Sequence, residues 1–382
     1  MTLTANRASR RDVLKTAAVF APALITSAAR AASSDIVLGR SLALSGPLKS
    51  YGQQKLDGAD AYIEKVNRSG GINGRSVACV TLDDQYLGDK TAANLRQIAA
   101  QNSPLAYLGL FGVPCCAAAL PVLQELRIPA VGLTSGADVL RNPFQPFAFP
   151  VRASYAAEAE KLANQIKTIG VSRFNIVFVD NPFGQSVRNS LVAALQTQGL
   201  KAGTLVALDM AGTNAAKAAA EALQGTPQAV FLCALTGAAV PFLREAKRID
   251  SHPMLFTFSP IDTTILLREV HEAAYGLSIT QVVPLPTDQR SQIAVEYVDA
   301  VKKLGRGEPS FYGMEAYLEA KVALEGVKRA GAGANPQQLV HALETMGAID
   351  FGGFGIEYSK TRHQGGRYVD ISFIDPAGRV RY

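Results

Sequence analysis

The chain has 382 residues, 48% of them apolar and 18% charged, with a formal net charge of +6 and four cysteines. This is the composition of an ordinary globular protein rather than a disordered one, and Cys79, Cys115, Cys116 and Cys233 are too few and too irregularly spaced for a disulfide framework or a zinc site. Residues 1–31 hold five of the 38 basic residues and one of the 32 acidic ones, so the remainder sets 33 basic against 31 acidic residues, a net +2, with no basic stripe for nucleic acid.

The first segment reads as an export signal. Ser9-Arg10-Arg11-Asp12-Val13-Leu14-Lys15 places paired arginines before a modest apolar run, Thr16 to Ala29, and Ala29 and Ala31 around Arg30 form an A-x-A-like cleavage site. The arginine pair resembles the twin-arginine signal, whose pathway carries proteins across the membrane already folded. An apolar run of about 14 residues containing Pro22 is short for a membrane span, and no cysteine follows it to take a lipid. The expectation is a periplasmic protein, cleaved after about Ala31. Its remaining 351 residues exceed what one hydrophobic core usually organises, so two domains are expected.

From Ile36 onward, short β-branched runs alternate with stretches of helical period, the pattern of a parallel α/β architecture. The strands expected are 36–42, 77–82, 105–110, 130–133, 174–179, 205–208, 230–234, 255–258 and 277–282. Between the first two, Leu56, Ala59, Ile63 and Val66 share a helical face, which Gly70-Gly71 ends. The alternation breaks at Asn142-Pro143-Phe144-Gln145-Pro146-Phe147, poor material for a helix or a central strand and read as the approach to a lobe boundary. A second α/β series runs from Tyr155 to about His271. Helices then follow at 291–304, 311–329 and 336–345, the last with Asn335 as N-cap and Pro336 at its first position. With no strand between them, these helices are expected to pack back on the first lobe. Tyr368 to Phe373 reads as a half-buried strand. The expected division is 32–151 for the first lobe, 152–278 for the second, 279–365 for the return to the first and 366–382 for a tail on the second.

One local echo links the halves. Strand one leads through Ser45-Gly46-Pro47 to Tyr51-Gly52-Gln53 and a helix; the first strand of the second half leads through Asp180-Asn181-Pro182 to Phe183-Gly184-Gln185 and a helix. Ligands of open parallel sheets sit at the carboxyl ends of strands. Two lobes facing each other would bring Tyr51 and Phe183 to one cleft, although glycine is common in turns and the echo can be coincidental. Further candidates at strand ends are Ser45, Thr236 and Ser259. The loop Gly112-Val113-Pro114-Cys115 and the loop Thr134-Ser135-Gly136 each lead toward a helix, and their backbone N–H groups and hydroxyls suit a carboxylate, simple capping being the alternative.

Catalytic constellations are not evident. His252, His271, His341 and His363 are dispersed, and neither a G-x-S-x-G elbow nor a phosphate loop occurs. Gly352-Gly353-Phe354-Gly355 is followed by strand-like sequence instead of the helix a dinucleotide site needs. Asp83-Asp84 ends a strand, where carboxylates cap the following loop. No cofactor and no metal are expected.

Together these residues resemble the type I periplasmic binding proteins typified by the Leu/Ile/Val-binding protein of branched-chain amino-acid ABC transporters. The resemblance rests on Leu44-Ser45-Gly46-Pro47 with Tyr51-Gly52, on Gly58-Ala59, on Val66-Asn67 to Gly70-Gly71-Ile72-Asn73-Gly74, on Asp83-Asp84, and on Ala119-Leu120-Pro121-Val122, Ile128-Pro129, Thr134-Ser135-Gly136-Ala137 and Phe183-Gly184. It implies two Rossmann-like lobes with parallel sheets, joined by a hinge and closing on a small molecule, in a monomer that docks on ABC permease subunits. It also implies a ligand carboxylate held at Val113 to Cys116 and Thr134 to Gly136, between Tyr51 and Phe183, with Tyr155 just past the first crossing and Arg152 either in the cleft or in a hinge ion pair. The chain departs from the family at Val113 and Cys115, where hydroxyl residues are common. It departs again at Ser259-Pro260, where the acid that pairs with an α-ammonium is replaced and Asp262 is only nearby. No cysteine follows Asp83-Asp84 to make the family's disulfide. The ligand is therefore open between an amino acid, a hydrophobic or aromatic carboxylate, and an amide. The rivals are a sensor module for a membrane signalling partner and, more remotely, an exported cofactor enzyme.

Overall fold

The computed structural model describes residue 2 and residues 35–249 and 251–382; apart from Thr2, the expected export signal lies outside the described residues. The first half runs β1 Ile36–Leu42, α1 Lys49–Arg68, β2 Val77–Asp83, α2 Gly88–Asn102, β3 Ala106–Phe111, α3 Val113–Leu126, β4 Ala130–Thr134 and β5 Ala148–Phe149. Its five strands form one sheet in the order β2-β1-β3-β4-β5, with every neighbouring pair parallel. β3 and β4 are buried at every position, as strands covered by helices on both faces must be. The proline-rich stretch after β4 supplies only the two-residue edge strand β5, a position that proline tolerates.

The second half runs α4 Tyr155–Thr168, β6 Phe174–Val179, α5 Pro182–Thr197, β7 Leu205–Leu208, α6 Ala215–Leu223, β8 Ala229–Cys233, α7 Thr236–Arg248, β9 Met254–Thr257, α8 Thr263–Val270 and β10 Ser278–Gln281. Three helices follow, α9 Gln292–Leu304, α10 Phe311–Ala330 and α11 Pro336–Thr345, then the hairpin β11 Ile349–Asp350 and β12 Gly355–Ile356, and finally β13 Asp370–Ile374 and β14 Val380–Arg381. The second sheet has the order β14-β13-β10-β9-β8-β6-β7 and is parallel except where β13 lies antiparallel to β10 and β14 to β13. β10 continues to Gln281, so the chain stays in this sheet three residues past 278.

All nine expected strands form, and the late helices return to the first sheet. α10 packs on α1, β3 and β4, and α9 packs on α1. α11 begins as its sequence dictates, with Asn335 and Gln338 closing a capping box around Pro336. Beneath the first sheet, Lys55 of α1 meets Glu319 of α10 at 2.7 Å in a fully buried ion pair.

Each sheet has a reversal of strand order, between β1 and β3 in the first and between β6 and β8 in the second. A crevice opens at such a reversal, outside the carboxyl ends of the strands. The helix after the first strand of each half starts hard against that crevice, and glycine makes this possible. A Cβ on Gly52 would stand 2.0 Å from the Ala43 carbonyl oxygen, and one on Gly184 would stand 2.0 Å from that of Val179. The shared aromatic-Gly-Gln pattern therefore has a packing cause in both places.

Gly184→Ala forces backbone to move at a site with no slack. It is expected to cost about 2–3 kcal/mol, read as a lower urea midpoint with an unchanged slope. An unchanged midpoint would mean that the helix start has room the packing does not show.

Candidate functional site

The two crevices face each other across one apolar cluster. It contains Tyr51, Phe111, Val113 and Tyr312 from the first lobe with Tyr155 and Phe183 from the second. Tyr51 sits in the first turn of α1, stacked on Phe111 with ring centres 5.5 Å apart, and meets Tyr312 edge-on at 4.8 Å. Phe183, in the first turn of α5, packs edge-on to Tyr155 at 5.9 Å. Tyr51 and Phe183 thus belong to the same buried interface.

Polar contacts join the lobes around these rings. The Tyr51 hydroxyl donates to Thr236 Oγ1 at 2.7 Å and accepts from the Thr236 N–H at 3.2 Å, so a first-lobe tyrosine caps the start of second-lobe helix α7. The Asp262 N–H donates to the same Thr236 oxygen at 2.7 Å. Asp262 Oδ1 caps α8 through the N–H groups of Thr264 and Ile265, while Oδ2 accepts from Ser50 at 3.2 Å and from Gln54 at 2.5 Å on α1. Asp262 therefore serves as a latch between α1 and α8. Burial drives the Tyr51 hydroxyl far above its ordinary pKa, so it stays protonated and able to donate.

The loop after β4 divides its groups between two jobs. The Thr134 hydroxyl, expected to face the ligand, is drawn inward: it donates to Glu319 Oε1 at 2.8 Å and is bound by Lys55. The ion pair under the sheet thereby fixes the start of the loop. Ser135 and Gly136 turn the other way, and the Tyr155 hydroxyl meets the Ser135 side chain and the Gly136 backbone. Burial pushes that hydroxyl up to about 12 despite nearby Arg152. From behind, the Arg141 guanidinium donates to the carbonyls of Ser135 and Ala137 at 3.2 and 3.0 Å, and to that of Arg152 at 3.1 Å. Burial and Arg152 lower its pKa to about 10, which leaves it charged at neutral pH. Its positive charge lies behind this loop, in which the Ser135 N–H donates to the Leu133 carbonyl at 2.7 Å and the Ala137 N–H to Ser135 Oγ at 3.2 Å.

The loop after β3 begins α3 with Val113, Pro114 and Cys115 in its first turn. The N–H groups of Val113 and Cys115 lack intrahelical partners by geometry, and Pro114 has none. The Cys115 thiol is buried against Thr91, and burial pushes it up to about 12, so it behaves as a small hydrophobe. Ser45 lies at the margin, where its hydroxyl donates to Asp83 at 2.5 Å. Asp84 accepts from Ser41, Thr91 and the Tyr86 N–H, a capping role.

Arg152 forms the hinge ion pair that was one of its two expected roles. Its Nη2 donates to Glu158 Oε1 and to Ser259 Oγ, each at 2.6 Å, and its Nη1 lies 3.7 Å from Glu315 Oε2 on α10. The Ser259 hydroxyl is therefore occupied by arginine. Among the residues not singled out in the sequence, Phe111, Arg141, Tyr312 and Glu315 belong to the site; only their approach to α1 and the β4 loop in space reveals them.

The chain matches the family described as Periplasmic binding protein over residues 35–379. It is a member of that family. The family and fold are those of ligand-binding proteins, not enzymes. A Leu/Ile/Val-binding protein homolog 7 from Brucella abortus (strain 2308) is 22% identical over 360 residues, covering 88% of each chain. Among solved structures, an extracellular ligand-binding receptor from Verminephrobacter eiseniae superposes with a TM-score of 0.85 at 28% identity, over 91% of this chain and 100% of the other. A branched chain amino acid ABC transporter protein from Thermus thermophilus with bound valine has the same fold at 19% identity, TM-score 0.81, over 91% and 94% of the two chains. The architecture is thus the two-lobed α/β fold of type I periplasmic binding proteins, and the role of the protein is solute binding. Among the described residues, no helix is long and apolar enough to cross a membrane.

Two outcomes follow for this binding protein. Tyr51→Phe keeps the ring and removes the bond across the lobes, leaving the start of α7 short of a partner; ligand affinity is expected to fall about tenfold, with scattering showing a more open form at equal ligand. Unchanged affinity would mean that the hydroxyl does not hold the lobes together. Lys55→Met strands Glu319 in the core at about 3–5 kcal/mol. Burial holds that carboxyl above its unfolded value, so the folded variant binds the proton more tightly. Its stability should fall as pH rises from the unfolded glutamate value of about 4.3, and adding Glu319→Gln should recover most of the loss in urea unfolding at neutral pH.

Proposed function

We propose that the protein is the extracytoplasmic receptor of an ABC importer and closes its lobes around a small organic molecule with a carboxylate or amide end and an apolar or aromatic body. The observation that carries this reading is the meeting of aromatic rings from both lobes beside the Ser135–Gly136 loop, with the Arg141 charge behind it. Ligand-facing residues in this reading are Tyr51, Val113, Ser135, Gly136, Tyr155 and Phe183, with the N–H of Cys115. Thr236 and Ser259 act through Tyr51 and Arg152, and Thr134 fixes the loop. An amino acid fits this site, as does a hydrophobic or aromatic acid. Residues 1–31 would direct export by the twin-arginine route, with cleavage after about Ala31.

Closure supplies the signal that a permease reads. Ligand contacts made only when both lobes are engaged shift the population toward the closed form. No bond is made or broken in this scheme, and binding energy alone drives it.

A second reading is favoured by one relative. A chemotactic signal transduction system substrate-binding protein, BasB, from Halobacterium salinarum is 29% identical over 175 residues, covering 43% of this chain and 42% of that one. In that reading the closed lobes report to a membrane signalling partner instead of a permease.

A thermal-shift screen of amino acids, aliphatic acids, aromatic acids and amides identifies the ligand class. A ligand present at a hundred times its Kd stabilises the fold by about 2.7 kcal/mol. Deleting the gene should then abolish uptake of the hit, and loss of taxis with uptake intact would favour the signalling reading. Failure of every class to raise the melting temperature would count against both.

A further inference from the structure

Four tyrosines border the apolar cluster between the lobes, and their hydroxyls have different fates. Those of Tyr51 and Tyr155 are committed to Thr236 and to the Ser135–Gly136 loop. That of Tyr312 is sealed inside the protein without a partner. The fourth, Tyr86, lies at the edge of the cluster, half-buried, with its ring centre 5.5 Å from that of Phe111. Its hydroxyl has no hydrogen-bond partner among the described residues, and unlike that of Tyr312 its oxygen is not closed off. Tyr155, Cys115 and Tyr51 are near enough to act on its charge, so the space it reaches is the cleft.

The backbone is strained to put it there. Gln85 and Tyr86 are both left-handed, with φ of 54° and 64°, and among the described residues no other two consecutive non-glycine residues are. A Cβ makes this conformation unfavourable. Two aspartates hold it: Asp83 Oδ1 accepts from the Gln85 N–H and Asp84 Oδ1 from the Tyr86 N–H, each at 2.9 Å. Strain that neighbouring bonds maintain in this way gathers at working sites. The facing loop is shaped to match. A Cβ on Gly112 would stand 2.2 Å from the Tyr86 ring and 2.9 Å from its hydroxyl oxygen, so the glycine leaves the space that the ring fills. Gly112 directly precedes α3, whose first turn, Val113-Pro114-Cys115-Cys116, carries no hydroxyl of its own. Tyr86 brings one to that turn from the neighbouring strand end.

We propose that the Tyr86 hydroxyl is a specificity determinant of the cleft, donating to a carboxylate oxygen of the ligand beside the start of α3 and favouring an acid over its amide. This rests on the solute-binding reading of the same cleft and narrows its ligand class. Burial holds the hydroxyl far above its ordinary pKa, so it stays protonated and able to donate. A charged oxygen gains more from such a donor than a neutral one does. The ring against Phe111 and Gly112 fixes where the donor stands, and the left-handed loop fixes the ring.

The test is calorimetry on the mature protein and its Tyr86→Phe variant with two matched pairs of probes, phenylacetate with phenylacetamide and L-leucine with L-leucinamide. Phenylalanine keeps the ring, and the lost hydroxyl has no protein partner, so the urea midpoint is expected to stay where it is. The acid of a pair that binds the wild type should bind the variant roughly tenfold or more weakly, and its amide only about two- to fivefold more weakly. The preference for the acid therefore shrinks. A structural role alone would lower the urea midpoint and weaken both members of a pair alike. That result, an acid affinity unchanged within about twofold, or a wild type that prefers the amide overturns the role of Tyr86 and leaves the solute-binding reading intact. If none of the four probes binds the wild type, this inference and the carboxylate-or-amide reading fall together. A Tyr86→Phe protein unfolded by circular dichroism would show that the hydroxyl is needed by the fold, which also overturns the proposal.

Discussion

The site depends on two places where a helix begins in contact with the end of the strand before it. Gly52 and Gly184 press against the carbonyls of Ala43 and Val179 at a distance no side chain allows. A residue with a Cβ would push each helix outward and swing its first turn away from the strand ends. Because the helices stay in, Tyr51 and Phe183, the residues just before these glycines, project where the strand order reverses. In a parallel sheet that is the one place where neighbouring helices diverge and leave a crevice. Two such lobes set face to face make a cleft whose walls come from four helix starts, α1 and α3 on one side and α5 and α7 on the other.

Buried charge then gives the cleft its polarity. Ion pairs taken out of water contribute little net stability, because desolvation offsets their attraction. Their use here is placement. Lys55 and Glu319 hold the Thr134 hydroxyl under the sheet and so fix where the chain turns into Ser135 and Gly136. Arg141 grips the carbonyls of the same turn from behind, and each N–H of a peptide points opposite to its carbonyl. Arg152 ties Glu158 and Ser259 of the second lobe toward Glu315 of the first. Each of these groups lies beside a residue of the candidate site, and a neutral substitute of the same size would leave the backbone free to settle elsewhere.

Much of the architecture was legible in the chain because hydrophobic period and turn residues are local properties. Nine strands and the capping of α11 could be read directly, and the repeated aromatic-Gly-Gln pattern pointed to Tyr51 and Phe183. Side-chain direction was not legible. Thr134 looks like a ligand-facing hydroxyl until Lys55 and Glu319, 79 and 185 positions away, claim it. Thr236 finds its partner Tyr51 185 positions away, and Ser259 finds Arg152 107 positions away. Tyr312 and Glu315 sit in a helix whose local pattern says only that it is buried. Arg141 falls just before the stretch read as the approach to a lobe boundary, and its role follows from three carbonyls that no sequence motif specifies.

The lobes meet through one apolar cluster and a few polar contacts, and that suits a receptor that must also release its ligand. Tyr51 with Thr236, Ser50 and Gln54 with Asp262, and Arg152 with Glu315 all exchange protein partners for water when the cleft opens. The net worth of such bonds is about 0.5–1.5 kcal/mol each, so together they bias closure by only a few kcal/mol. A larger apolar interface would hold the lobes shut regardless of ligand, and the observed affinity would then carry no information about occupancy. With a small bias, the closure proposed above is decided by the ligand and not by the latch. Closure then reports occupancy because the latch alone is too weak to impose it.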